Sequence, residues 1–401
     1  MTTDTIGIPP GTRVIDADTH IVEVGDIWTS RAPAALLDHV PHVEVIDGAP
    51  TWVMEGTPLG WAFKGTVIGA DGDKAETVRA YTDWRGLEDM HEGSYSVDAR
   101  LAVMDATGIY AQVVFPNNVG LGGQGVAKAT TDRSLLNTCV EIYNDWSAEL
   151  MEQSGGRLLP MAVMPAWNVD DCVREARRAQ RLGFRGVNIT ADPSDQGAPD
   201  LADRVWDPLW EVLAELELPV HFHIGNSETA MTFFDKYAWA SHSEGMQLAI
   251  CGTMLFIGNA RSVINIIGSG MLERHPGLQI VSVESGVGWI PFALEGLRYE
   301  MVENAPHDRA KLPLTPMEYF QRQMYATTWF EHADLAYVVD RVGADRILFE
   351  TDFPHPTCLY PDPLGVAAEH MRDLTPAARE QILGGNACRL YKIPPTVGVQ
   401  S

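Results

Sequence analysis

The sequence predicts an α/β protein, a (β/α)8 TIM barrel with capping insertions. Three observations carry that expectation. Eight short apolar runs recur along the 401 residues, ending near Asp18, Pro116, Met164, Asn188, His223, Glu284, Thr328 and Asp352. Helical stretches separate them in a regular rhythm, and eight strand–helix units are what closes a barrel. No GxGxxG fingerprint follows the first run, and the rival open sheet has no need of an eighth unit. One domain is expected over residues 1–401, with insertions at about 24–96 and 225–250.

Taken in order, residues 13–17 read as the first strand, which runs into Asp16-Ala17-Asp18-Thr19-His20. An irregular stretch follows, and within it the alternation across 51–61 reads as a hairpin. From residue 97 helices are expected at 98–107, 132–153, 170–182, 201–216, 262–274, 289–303 and 333–342, with Gly183 stopping the third. Strands at 111–115, 158–164, 186–189, 218–222, 278–283, 323–327 and 346–350 alternate with them. The last is Ile347-Leu348-Phe349, an apolar run that stops on Glu350 and leads into Thr351-Asp352-Phe353-Pro354-His355. Helices at about 363–372 and 377–383 close the chain, and the tail from 394 reads as loose or as a packed arm.

Composition bounds the partners. The formal net charge is −25, which repels nucleic acid and anionic membranes, so a small-molecule substrate is expected. Five scattered cysteines without CxxC spacing fit reduced thiols in the cytoplasm better than disulfides or a thiolate zinc site. No unbroken run of eighteen apolar residues is present, so no membrane span is expected. The first residues lack a basic region followed by an apolar one, so no signal peptide is expected.

Barrel strands end on one face, and here several ends carry metal-type ligands. Strand one offers Asp18 and His20, strand five His221 and His223, strand six Glu284 and strand eight Asp352. Period-two alternation places Asp18 with His20, and His221 with His223, on shared faces. Such an oxygen and nitrogen set suits zinc, manganese or ferrous iron. Each residue has a plainer reading. Asp18 and Glu284 can cap helices, His20 can be a loop residue, and His221 can be a core histidine bonded to a carbonyl. Trp52, Trp61, Phe233, Phe234 and Trp239 are candidates to line an apolar pocket, with ordinary cap packing the plainer assignment.

The motifs Ile15-Asp16-Ala17-Asp18-Thr19-His20, Leu218-Pro219-Val220-His221-Phe222-His223, Ile347 through His355, and Ile382-Leu383-Gly384-Gly385-Asn386-Ala387 span nearly the whole chain. The sequence resembles the amidohydrolase superfamily, in the amidohydrolase-2 branch of aminocarboxymuconate-semialdehyde and resorcylate-type decarboxylases and related metal-dependent hydrolases. The resemblance implies a barrel with Asp18, His20, His223 and Asp352 on one metal ion, and a homodimer. Two departures stand out. Asp18 replaces the usual first His or Glu, and Glu284 stands where the decarboxylases carry an acid/base histidine. Asn188 ends strand four, so the carbamylated-lysine bridge of binuclear relatives is not available.

The charge change at Glu284 leads to the expectation of a metal-dependent hydrolase. A metal-activated water would attack an ester, thioester, lactone or amide. Asp352 would take the water's proton, and His221 or Glu284 would pass a proton to the leaving group. Glu284 is also a candidate ligand for a second ion, with His221 or His242 as nitrogen donors, giving one or two ions per chain. The alternative is a non-oxidative decarboxylase of an aromatic or unsaturated carboxylic acid, with His221 or His355 protonating carbon. A non-catalytic binding barrel is the third reading.

Overall fold

The computed structural model describes residue 7 and residues 11–117, 119–235 and 238–394, the side chains of 233–235 excepted. The fold is the expected α/β barrel. Strand β1 (Ile15–His20) leads into the insertion, where β2 (His42–Ile46), β3 (Ala49–Met54) and β4 (Thr57–Trp61) form an antiparallel sheet. The predicted hairpin is therefore β3–β4 with a further strand beside it. β5 (Ala111–Phe115) and β6 (Leu158–Pro160) complete a parallel sheet with β1. β7 (Ala162–Val163), β8 (Val187–Asn188), β9 (Val220–His223), β10 (Ile280–Val283), β11 (Met324–Thr328) and β12 (Ile347–Phe349) form a second parallel sheet in chain order.

Two seams join these ladders into a ring. β6 and β7 are halves of one run broken at Met161, whose N–H still donates to the Val114 carbonyl at 3.0 Å. At the other seam Thr19 pairs with Phe353, the His20 N–H donates to the Phe353 carbonyl, and the Asp352 N–H donates to the Asp18 carbonyl. The second seam thus locks the two acidic strand ends together.

Burial on both faces explains the apolar runs. Inside the ring Ile15, Ala17, Val113, Phe115, Val281 and Leu348 pack together, and Tyr391 from the C-terminal helix joins them. Outside, the helices carry standard stops and starts. Asn168 caps Val169–Leu182 by accepting from the N–H groups of Asp170 and Asp171, and Gly183 ends it with φ +90°.

One helix departs from expectation. It begins at Glu244, capped by Ser243, and runs 25 residues to Gly268. The segment from Met246 to Gly258 is almost wholly apolar, so no 3.6-residue alternation marks it as a helix. By length and composition it could cross a membrane, with a mean hydropathy of 1.4. Counting unbroken apolar residues did not pick this helix out, and one such helix, a test that the core helix of a soluble protein also passes, does not overturn the expectation of no membrane span. Its second half packs on the barrel, where Asn259 Nδ2 donates to the Phe222 carbonyl and to Ser282 Oγ.

The closing Ile382–Ala387 motif is a structural clasp. Asn386 Nδ2 donates to the carbonyls of Ala344 and Ile347, both at 2.7 Å, fixing the entry to β12. Gly384 lies against the start of β1, and a Cβ there would fall 1.9 Å from the Arg13 carbonyl oxygen. The neighbouring Gly385 has 3.4 Å of room. Gly384→Ala is therefore expected to destabilise the fold by on the order of 3 kcal/mol, through forced backbone movement. Gly385→Ala should change stability by under about 1 kcal/mol. Urea midpoints of the two variants check the contrast.

Candidate metal centre

Local backbone devices aim the strand-end side chains. Simple alternation would put Asp16, Asp18 and His20 on one face. The β1–β5 register slips between Asp16 and Thr19, and the bulge separates them. Asp16 turns to β12, accepting from the N–H and Oγ1 of Thr351, and from Gln112 Nε2. Burial raises its pKa to about 7. Asp18 and His20 face the centre instead. Glu284 and Asp352 follow their strands in the left-handed region, at φ +55° and +57°, an uncommon conformation for residues other than glycine. Hydrogen bonds from their N–H groups hold them there, Glu284 to Thr327 Oγ1 and Asp352 to the Asp18 carbonyl.

The result is a tight cluster. His223 Nε2 lies 3.2 Å from His20 Nε2, 3.4 Å from Asp18 Oδ2 and 3.3 Å from Glu284 Oε2. His20 Nε2 lies 3.6 Å from Asp18 Oδ1 and 3.7 Å from Asp352 Oδ1. His355 is the sixth residue of the cluster, with Nδ1 3.1 Å from Asp352 Oδ1 and its ring stacked on His20 at 3.6 Å. Ligand atoms of Asp18, His20, His223 and Glu284 all fall within 4.8 Å of one another, as do those of His20, Glu284, Asp352 and His355.

These residues fit a cation. Both oxygens of Asp18 and Oδ1 of Asp352 are buried without a hydrogen-bond donor among the described residues. Buried carboxylates are normally paired or on a metal. His223 donates its Nδ1–H to the Ile224 carbonyl at 2.8 Å, which leaves the Nε2 lone pair free for an ion. Without that ion the electrostatics are adverse. Burial, then the neighbouring acids, raises the pKa of Asp18 and Glu284 well above the usual carboxylate range. Burial also drives His20 well below its ordinary value and His223 down to about 4.

The remaining candidates fall elsewhere. The structure does not bring His221 to the cluster. Two residues earlier on β9, it sits about 6–7 Å deeper in the barrel. Its Nδ1–H donates to the Val187 carbonyl and its Nε2 accepts from Tyr391 O–H, both at 2.9 Å, so neither nitrogen is left for a substrate. His242 stacks on Trp239 in the loop before the long helix. Trp52 is core packing against Trp28, Trp61 and Trp239 are exposed, and the side chains of Phe233 and Phe234 lie outside the described residues. The aromatic groups found beside the strand ends are Trp329, directly after β11, with Phe256 and Phe330 against it. Glu350, fully buried beside Glu284, was read only as a strand end.

Comparisons with known proteins agree on one family. Residues 15–393 match the family model described as amidohydrolase. A curated gamma-resorcylate decarboxylase from Polaromonas sp. is 26% identical over 311 residues, covering 74% of this chain and 87% of that protein. A solved amidohydrolase from Mycobacterium avium subsp. paratuberculosis superposes with a TM-score of 0.73 at 21% identity, covering 94% of this chain and 99% of that one. A dihydroxybenzoic acid decarboxylase from Polaromonas sp., solved with manganese and the inhibitor 2-nitroresorcinol, gives a TM-score of 0.61 at 20% identity, covering 95% and 97%.

Two outcomes are expected from the geometry. His223→Ala should lose the bound metal while His221→Gln keeps it, as elemental analysis of the purified proteins will read. The second concerns pH. Burial holds the folded His221 pKa at about 4, against 6.5 for the free side chain. The neutral ring therefore contributes stability that is complete above about 6.5 and is lost as pH falls toward 4. That is worth on the order of 3 kcal/mol. Unfolding free energies at pH 7.5 and 5 should differ less in His221→Gln than in the native chain.

Proposed function

The chain belongs to the amidohydrolase family, and we propose that it is a metal-dependent decarboxylase of a small aromatic or unsaturated carboxylic acid. The hydrolase expectation is corrected. The curated relative and the manganese-bound neighbour named above are both decarboxylases, which matches the alternative reading. The inference from Glu284 let the changed charge at strand six outweigh His221 and His355, the alternative sources of the proton.

The observation that carries the reading is His355. Its imidazole is stacked on His20, sets Nδ1 3.1 Å from Asp352 Oδ1, and is 15% exposed where the cluster opens to solvent. It is thus the imidazole of the site that borders both the ligand set and the space a substrate must enter. Asp18, His20, His223 and Asp352 would hold one divalent ion, with Glu284 in reach as a further oxygen donor. Manganese is our proposed ion, supported by the solved neighbour. Bound there, the ion supplies positive charge that anchors and polarises the substrate's oxygens.

The chain's own groups do the rest. Trp329, directly after β11, and Phe256 packed edge-on against it are the aromatic groups we propose to flank an unsaturated ring. The bond between ring carbon and carboxylate breaks, and its electron pair stays on carbon. His355 Nδ1 delivers a proton to that carbon, and carbon dioxide leaves. Asp352 Oδ1, 3.1 Å from Nδ1, orients the ring for that transfer. A second candidate for the proton is Glu284, whose Oε2 lies 3.3 Å from His223 Nε2 within the cluster. Five free cysteines support a reducing compartment. Exposed Phe292 and Tyr299 on the helix Ile290–Asn304 support a homodimer.

The test is a panel of hydroxybenzoic and unsaturated acids with manganese-loaded enzyme. Carbon dioxide release is expected, with deuterium from D2O appearing at the vacated carbon. Acid release without carbon dioxide would sink the reading. His355→Gln should retain the metal and lower kcat by about 10²–10⁴-fold, the usual range for a lost general acid. A full loss in Glu284→Gln with little change in His355→Gln would instead make Glu284 the proton donor.

A further inference from the structure

We infer that Asn117 is a positioning residue for His355, and that Gly65 of the insertion closes over the bond between them. The role in turnover rests on the decarboxylase reading above, whereas the bond itself is testable without any substrate.

Asn117 follows β5 and is held at three points. Its N–H donates to Glu23 Oε1 at 2.8 Å, its Nδ2 donates to the Ile21 carbonyl at 3.1 Å, and its Oδ1 faces His355 Nε2 at 2.9 Å. The donation to Ile21 settles the amide orientation, because a flipped amide would set two acceptors against each other. An amide oxygen only accepts, so the hydrogen on His355 sits on Nε2. Nδ1 is then the atom turned to Asp352, 3.1 Å from Oδ1. The stack on His20, at 3.6 Å and 16° between planes, removes tilt. Two in-plane contacts and one face fix the imidazole completely. Of these, only the bond to Asn117 comes from outside the metal-binding set.

Gly65 makes the second half of the case. Its φ of +101° suits glycine, and a Cβ built on it would lie 3.2 Å from both Asn117 Oδ1 and His355 Nε2. The insertion therefore presents bare backbone to the hydrogen bond, with no space for a side chain between. Nearby contacts hold that segment against the strand-eight loop. The Val67 N–H donates to the Pro354 carbonyl at 3.1 Å, and Lys74 Nζ donates to the Cys358 carbonyl. Val67 and Ile68 also pack on Phe353 and Cys358. The long insertion thus contributes a positioning surface for the imidazole.

The experiment uses full-length, zinc-loaded protein with ¹⁵N-labelled histidine. Long-range ¹H–¹⁵N spectra should show a protected ring hydrogen on Nε2 of His355, assigned by its loss in His355→Gln. Asn117→Leu should abolish the protected signal, Asn117→Asp should restore it in part, and Gly65→Ala should shift it. In turnover with manganese, Asn117→Leu should lower kcat 10- to 100-fold, with KM within twofold and metal content unchanged. An unaltered His355 signal in Asn117→Leu overturns the proposal. So does a fall in activity that simply tracks lost metal and lost thermal stability. If Asn117→Leu does not fold, Gly65→Ala carries the same readouts, and an unshifted signal there overturns the role of Gly65. Absence of carbon dioxide release with every acid refutes the decarboxylase reading, and the spectra still decide the Asn117 bond.

Discussion

Four carboxylates, those of Asp18, Glu284, Glu350 and Asp352, share the buried end of the barrel with three imidazoles. Like charges a few ångströms apart in a water-poor interior repel by several kcal/mol. The fold answers in the only ways available to it. Burial and mutual repulsion raise the pKa of Asp18, Glu284 and Glu350, while His20 and His223 are held neutral. A neutral imidazole with its far nitrogen tied to a carbonyl, facing carboxylates that lack donors, is unstable as a packing solution and apt as a ligand set. A divalent ion reverses the sign of the local field, so that the same acids become favoured as anions.

Much of the surrounding structure keeps those acids from relaxing apart. Asp16 accepts from Thr351 and so ties β1 to the loop that carries Asp352. Arg100, wholly buried, donates to the His20 carbonyl, to Gly93 of the insertion and to Gln112, which itself donates to Asp16. The C-terminal clasp of Gly384 and Asn386 fixes the opposite end of the same two strands. Tyr391 fills the barrel below and holds His221. Charge concentrated at one end is thus matched by directional hydrogen bonds from elements far apart in the chain.

This division explains what could be read from the sequence. Strand ends are local events, so Asp18, His20, His223 and Asp352 were legible from apolar runs that stop on an acid or a histidine. The alternation rule correctly paired His221 with His223 on one face. It could not show that Tyr391, 170 residues later, occupies His221. Extended to Asp16, the same rule would place it with Asp18, because a bulge is a property of the pairing and is invisible in one strand. The helix Glu244–Gly268 was hidden for the opposite reason, having too little polarity to show a period. Asn117 carries no signal of its own, since its role depends on a glycine in the insertion and a histidine after the last strand.

The mistaken hydrolase expectation has a physical lesson. It compared one position with its counterpart in relatives and let the sign of that charge decide the chemistry. The proton inventory belongs to the whole cluster. With one divalent ion, four ionised carboxylates would still leave an excess of two negative charges, and an anionic substrate would deepen it. The inventory also includes an imidazole from outside the strand ends, His355, against Asp352 and beside the opening. The carboxylate at 284 therefore does not weigh against protonation of carbon. The histidine absent from the end of strand six is matched by one that the loop after the last strand brings to the same cluster, stacked on His20 and beside Asp352.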